Sequence, residues 1–180
     1  MFENDNAGAK PLYEESLGIR RELKDHWAVG ISLNNLGLLL SQAGYHAAAR
    51  AMLEECVTIN RRVGDRWALA NSLSSLAEAT LSASDTAGAR PTLDESMALS
   101  RDLGDRRGIA YLQESFAQLA FLENDFERSV SLVAYADALR KEIGTPRSPS
   151  DQARLDAWYV PLAKPAPSLP DEPKRENPAG

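Results

Sequence analysis

Apolar side chains recur along the chain at steps of three and four residues. Leu33, Leu36 and Leu40 share one face of a first segment, and Ala49, Leu53, Cys56 and Ile59 share one face of the next. This is the spacing of amphipathic helices, and no run alternates as a half-buried strand would. Read onward, the pattern predicts seven helices, at about 7–23, 26–43, 46–63, 66–83, 86–103, 106–123 and 126–143.

The helices come in pairs that repeat. AGAKPLYEES at 7–16 returns as AGARPTLDES at 87–96, an offset of 80 that is two units long. Aspartates stand at 25, 65 and 105, forty residues apart, and Trp27 and Trp67 follow at the same interval, with Arg107 in the third place. SLNNLG at 32–37 answers to SLSSLA at 72–77 and more loosely to LQESFA at 112–117. Asp25, Asp65 and Asp105 are placed to cap helix starts. Gly44 and Asn124 are suited to close the first helix of a pair in the left-handed conformation, and Gly64, Gly104 and Gly144 the second, with Ser84 and Lys24 as weaker substitutes. Pro11 and Pro91 are expected near helix starts, delaying the helix by a residue or two. Small residues keep fixed places in the first helix (Gly37, Ala77, Ala117) and the second (Ala9, Ala49, Ala89, Ser129). Bulky Leu36, Leu76 and Phe116, with Tyr13, Leu53, Leu93 and Val133, fill the seam between them. A lone helix pair cannot bury its apolar face, so stacked neighbours must form the core.

Leu33, Leu36, Gly37, Leu40, Ala49, Leu53 and Cys56, repeated as Leu73, Leu76, Ala77, Thr80, Ala89, Leu93 and Ser96, resemble the tetratricopeptide repeat. The usual period of that motif is about 34 residues, so units of 40 imply longer helices. The units are similar to the long-period arrays at the C-terminal end of large bacterial signalling ATPases and LuxR-like or SARP-type transcription regulators. The resemblance implies an all-α, right-handed solenoid of about three and a half units whose first helices line a concave face. Carried onto this chain, the inward places are Ile31, Asn34 and Leu38, then Asn71, Ser74 and Glu78, then Tyr111, Glu114 and Gln118. Such a groove implies a protein partner, a peptide or a neighbouring domain, held on a polar surface with an acidic tint. It lacks the basic places by which chaperone-binding repeats hold a terminal carboxylate. Trp27 and Trp67, at unit boundaries, are expected to pack between neighbouring pairs.

The array is expected over 1–145, a link and short closing helix over 146–160, and a disordered tail over 161–180, where six residues are proline. The first helix opens at the turn inside a unit. That suggests a fragment or relative of a regulator's C-terminal repeat domain, with the remnant of a nucleotide-binding regulator or a truncated, non-functional fragment as alternatives. An uncapped first helix also offers a surface for self-association.

Composition and charge narrow the function. A formal charge of −6 over 180 residues disfavours direct nucleic-acid binding, which needs clustered Lys and Arg. No apolar run approaches the roughly 20 residues that span a bilayer, and a start of Met1-Phe2-Glu3 is unlike a signal peptide, which leads to a cytoplasmic expectation. Two histidines and one cysteine make a poor metal set, and there is no phosphate loop or dinucleotide fingerprint. Cys56 reads as a packed core thiol, the pairs Glu14-Glu15 and Glu54-Glu55 as solvated faces. Arg20-Arg21, Arg61-Arg62 and Arg101, alternating with Glu22 and Asp102, read as an outer face laced with salt bridges. The expectation is no enzyme, no cofactor and no metal.

Overall fold

The computed structural model describes residues 6–159, so the expected proline-rich tail lies outside the described residues. Among these, the chain forms helices alone, in the order α1 (Asn6–Glu22), α2 (His26–Gln42), α3 (His46–Val63), α4 (Arg66–Ser82), α5 (Thr86–Leu103), α6 (Arg106–Leu122), α7 (Phe126–Glu142) and α8 (Pro149–Asp156). Tight turns join α1 through α7, which forces successive helices to run antiparallel. The periodicity therefore places every one of the seven long helices to within a residue or so.

Each boundary has a local cause. Asp25, Asp65, Asp85, Asp105 and Asp125 accept a hydrogen bond from the amide three residues on, at 2.9–3.2 Å. Tyr45 holds the same place before α3 and makes no such side-chain bond. At the other end, Lys24, Gly44, Gly64, Ser84, Gly104, Asn124 and Gly144 all take positive φ, one every twenty residues. Ser84 adopts φ 59° with a Cβ to accommodate, so Ser84→Gly should raise stability by about 0.5–1 kcal/mol. Thermal unfolding checks this; a lower Tm would show that the serine side chain offsets its own strain. The prolines depart from expectation. Pro91 lies inside α5, at its sixth residue, and Pro11 likewise in α1, with neither helix start delayed. Pro91 is solvent-exposed and so is Ala87, whose carbonyl loses its amide partner there and can turn to water.

The core runs through the seams. Leu33, Leu53, Leu73, Leu93, Leu112 and Leu119 are almost wholly buried, as are Ala49, Ala77, Ala89 and Ala117 at the small-residue places. Close approach is required at Gly37, where an added Cβ would lie 2.5 Å from Leu53 Cγ. The first two complete pairs are also pinned by a polar contact: the Cys56 thiol donates to the Gly30 carbonyl at 3.1 Å, and one unit later Ser96 Oγ donates to the Ala70 carbonyl at 2.8 Å. Burial pushes the Cys56 thiol up to about 11, so it stays protonated and packed.

The helices form two rows. First helices touch one another, α2 with α4 and α4 with α6, which makes theirs the inner row. The second helices are linked across the outer surface by exposed ion pairs that keep the period, Arg21 with Glu55 and Arg61 with Glu95, both at 2.6 Å. A second ladder, Arg66 with Asp102 and Arg106 with Glu142, repeats likewise. Within the basic strip, Arg21 and Arg61 thus pair between units rather than with Glu22 or within their own turn; each exposed pair is worth at most about 1 kcal/mol.

Candidate functional site

The inner row encloses a groove with a cavity of about 590 Å³. Three first helices supply its walls: Asn34 and Leu38 from α2, Trp67, Asn71, Ser74 and Glu78 from α4, and Tyr111 from α6. Asp151 from α8 closes one end, and Arg107 stands on the wall with Trp67. Helical spacing brings these side chains to one face, because residues three, four and seven apart share a side. Asn34 Oδ1 and Ser74 Oγ are occluded polar atoms with no hydrogen-bond partner among the described residues. Asn71 is exposed. The wall therefore offers hydrogen-bonding groups on two successive helices.

At the closed end, the Tyr111 hydroxyl donates a short hydrogen bond to Glu78 Oε2. Burial, then the charge of Glu78, pushes the phenol well above its ordinary range, so it remains a donor. The Arg154 guanidinium lies over the Tyr111 ring, 4.4 Å from its centroid. Six of the inward residues, Asn34, Leu38, Asn71, Ser74, Glu78 and Tyr111, thus line one cavity.

The next two, Glu114 and Gln118, do not. Glu114 is 0% exposed and belongs to the core. Its Oε1 accepts from Arg140 Nε at 2.7 Å and Arg147 Nε at 2.8 Å, and its Oε2 from Arg154 Nη2 at 3.2 Å. Three guanidinium groups, from α7, the link and α8, converge on that one carboxylate. Arg147 also reaches Asp137 through Nη1. The cluster ties the closing helix to the array, and Ser148 supports it by capping α8, with its Oγ accepting from the Asp151 amide at 3.1 Å. Gln118 is half-buried on α6 and does not line the cavity.

The tryptophans also need correction. Trp27 and Trp67 are each 60% exposed and do not pack between helix pairs. They stand on the inner rim, together lining a smaller cavity of about 180 Å³ with Ile31, Asn34 and Asn71. Position and chemistry explain this: the side chain at the start of a first helix overhangs the groove, and no bulky neighbour covers it. Arg107 at the same place in the third unit is exposed too. A charged residue in that register is the sequence signal that the place is wet. Asp151 has no such signal, because the closing helix stands outside the repeat.

Among the described residues, no three His, Cys, Asp or Glu side chains cluster as a metal site would require, and no helix is long and apolar enough to cross a membrane. No curated protein matches the chain. Residues 3–62 match the family model described as Tetratricopeptide repeat. Repeats of this type generally mediate protein–protein interaction on an all-helical fold that is typically non-catalytic. Over residues 3–62 the chain is similar to the tetratricopeptide repeat, and the paired, stacked helices of the described residues are consistent with an all-helical repeat of that kind.

Proposed function

We propose that the inner groove binds an extended segment of a protein partner. The observation that carries this reading is the cavity shared by α2, α4 and α6, with Asn34 Oδ1 and Ser74 Oγ on its wall lacking a partner among the described residues. A polypeptide backbone offers amides and carbonyls at regular intervals, which is what side-chain amides and hydroxyls on successive helices are placed to meet. Trp67 adds a large amphipathic surface at the rim. Among the described residues, Glu78, Asp105 and Asp151 outnumber the one exposed cation on the wall, Arg107, and give the groove its acidic character, while Arg140, though on the wall, is engaged by Glu114. A segment carrying lysine or arginine therefore suits it better than an acidic one. The place of such a module in a bacterial signalling or transcription regulator is supported by the resemblance of its 40-residue units to the arrays of those proteins.

Selection of peptides from a random display library against the full chain tests the reading. Selected peptides should be rich in basic residues and should bind an Asn71→Ala, Glu78→Lys variant at least about tenfold more weakly, since one lost or reversed charged contact is worth more than about 1.4 kcal/mol. Equal affinity for both proteins would place binding outside the groove.

A further inference from the structure

Three hydroxyls of α4, those of Ser72, Thr80 and Ser82, donate back to a carbonyl three or four residues earlier, at 2.6–3.0 Å. Ser74 does not. The carbonyl one turn before it, that of Ala70, already accepts from Ser96 Oγ of α5 at 2.8 Å. Ser74 is 8% exposed and lines the groove cavity, with a hydroxyl that has no hydrogen-bond partner among the described residues. A buried hydroxyl in that state costs stability that a ligand atom would restore.

Two carboxylates line the same cavity. Glu78 lies four residues beyond Ser74 on the same face of α4, and its Oε2 accepts from the Tyr111 hydroxyl. Asp151 comes from α8, with its Oδ2 held by Ser148 Oγ at 2.7 Å. After burial, Glu78 and more weakly Asp151 raise the Tyr111 phenol, so both charges are felt at one place. Among the described residues neither carboxylate forms an ion pair. The guanidinium of Arg154 is spent instead on Glu114 and on the Tyr111 ring.

We infer, on the reading that the groove binds an extended segment, that Glu78, Asp151 and Ser74 form a subsite for one lysine or arginine side chain of that segment, whole only while α8 is docked. An ammonium or guanidinium can donate to both carboxylates and to the Ser74 oxygen, which a neutral side chain cannot match. The dependence on α8 follows from its size. Its eight residues are well short of the roughly 12 that an isolated helix needs. It is fixed by Arg154 on Glu114 and by Leu155, buried in a cluster with Ala117 and Val133. Docking brings Asp151 to the groove, so by reciprocity a cation held by Asp151 keeps α8 down.

The probe is the tightest-binding basic peptide selected against the full 180-residue chain, with each lysine or arginine replaced in turn by norleucine. Asp151→Asn keeps an acceptor for Ser148 and removes the charge. Calorimetric titration should show the parent peptide weakened about fivefold or more in Asp151→Asn, and one norleucine peptide weakened less than about twofold. Hydrogen exchange at the α8 amides should slow by about fivefold with the parent peptide bound, and not with that norleucine peptide. Equal weakening of all the peptides by Asp151→Asn would make Asp151 a support of α8 alone and overturn the subsite. Full affinity in Asp151→Asn, with binding still lost in Asn71→Ala, Glu78→Lys, overturns it while the groove stands. Full affinity in both variants, or the selection of no basic peptide, overturns the groove reading and the subsite with it. Unchanged exchange in α8 overturns the dependence on docking.

Discussion

Glu114→Ala should destabilise the chain by about 3–5 kcal/mol, more than any change to its surface charges, because it removes the single carboxylate on which three arginines converge. Glu114 has no exposed surface, and Arg140 is only 6% exposed. Ions in that setting carry a desolvation cost that the shared carboxylate offsets. Without it, Arg140 loses its partner inside the core, while Arg147 and Arg154 retain less to hold the link and α8 against α6 and α7. Glu114→Gln keeps the shape and an acceptor oxygen but not the charge, so its loss should be smaller. Two measurements read this separately. Urea unfolding gives the change in stability. Fluorescence of Trp158, which sits 5.7 Å from the Phe121 ring beyond α8, reports whether the closing helix leaves the array. The exposed pair Arg21–Glu55, also well formed at 2.6 Å, sets the contrast: removing it should cost less than about 1 kcal/mol. Similar costs for the two would show that Glu114 is reached by water.

The second large effect lies in the seam of the first complete pair. Leu53 is 0% exposed and packs directly over Gly37. Leu53→Ala should cost about 2–5 kcal/mol, from lost burial and the cavity left behind. Gly37→Ala places a methyl 2.5 Å from Leu53 Cγ, with the Leu53 terminal carbons close as well, and should cost about 1–3 kcal/mol through overpacking. The two changes occupy the same space, so they should not add: in the double variant the methyl added at position 37 enters the volume that Leu53 vacates. The cost of the double variant should fall short of the sum of the two single costs by about 1 kcal/mol or more, the coupling typical of residues in contact. Chemical denaturation of the four proteins provides the cycle. Strict additivity would mean that the helices of a pair do not meet at this point.

Most of the fold is legible in the sequence because the chain says everything three times. Helix ends fall where a capping aspartate and a residue able to take positive φ recur, and even Lys24 and Ser84, poor residues for that conformation, adopt it because their neighbours in the repeat do. The sequence misleads where local repetition carries no information. Register assigns Glu114 to the groove, yet two of its three arginines, Arg147 and Arg154, come from the link and closing helix, which have no counterpart in any other unit. Position alone cannot distinguish a carboxylate facing water from one facing ions supplied by an element seen once. The burial that an indole contributes argues for packing at Trp27 and Trp67; only the arginine in the third unit hints that the place overhangs solvent. Pro91 misleads in another way, since an exposed helix turn tolerates a missing amide that a buried one would not.

The claim on which the functional reading rests is that the inner row, rather than the salt-bridged outer one, is the binding surface. Amide and indole chemical-shift mapping of the full chain titrated with a selected basic peptide tests it most directly. The account predicts that the shifts concentrate on Asn34, Asn71, Glu78, Tyr111 and the Trp67 indole. Shifts confined to the outer faces of α3, α5 and α7, with the Trp67 and Tyr111 signals unmoved, would contradict it.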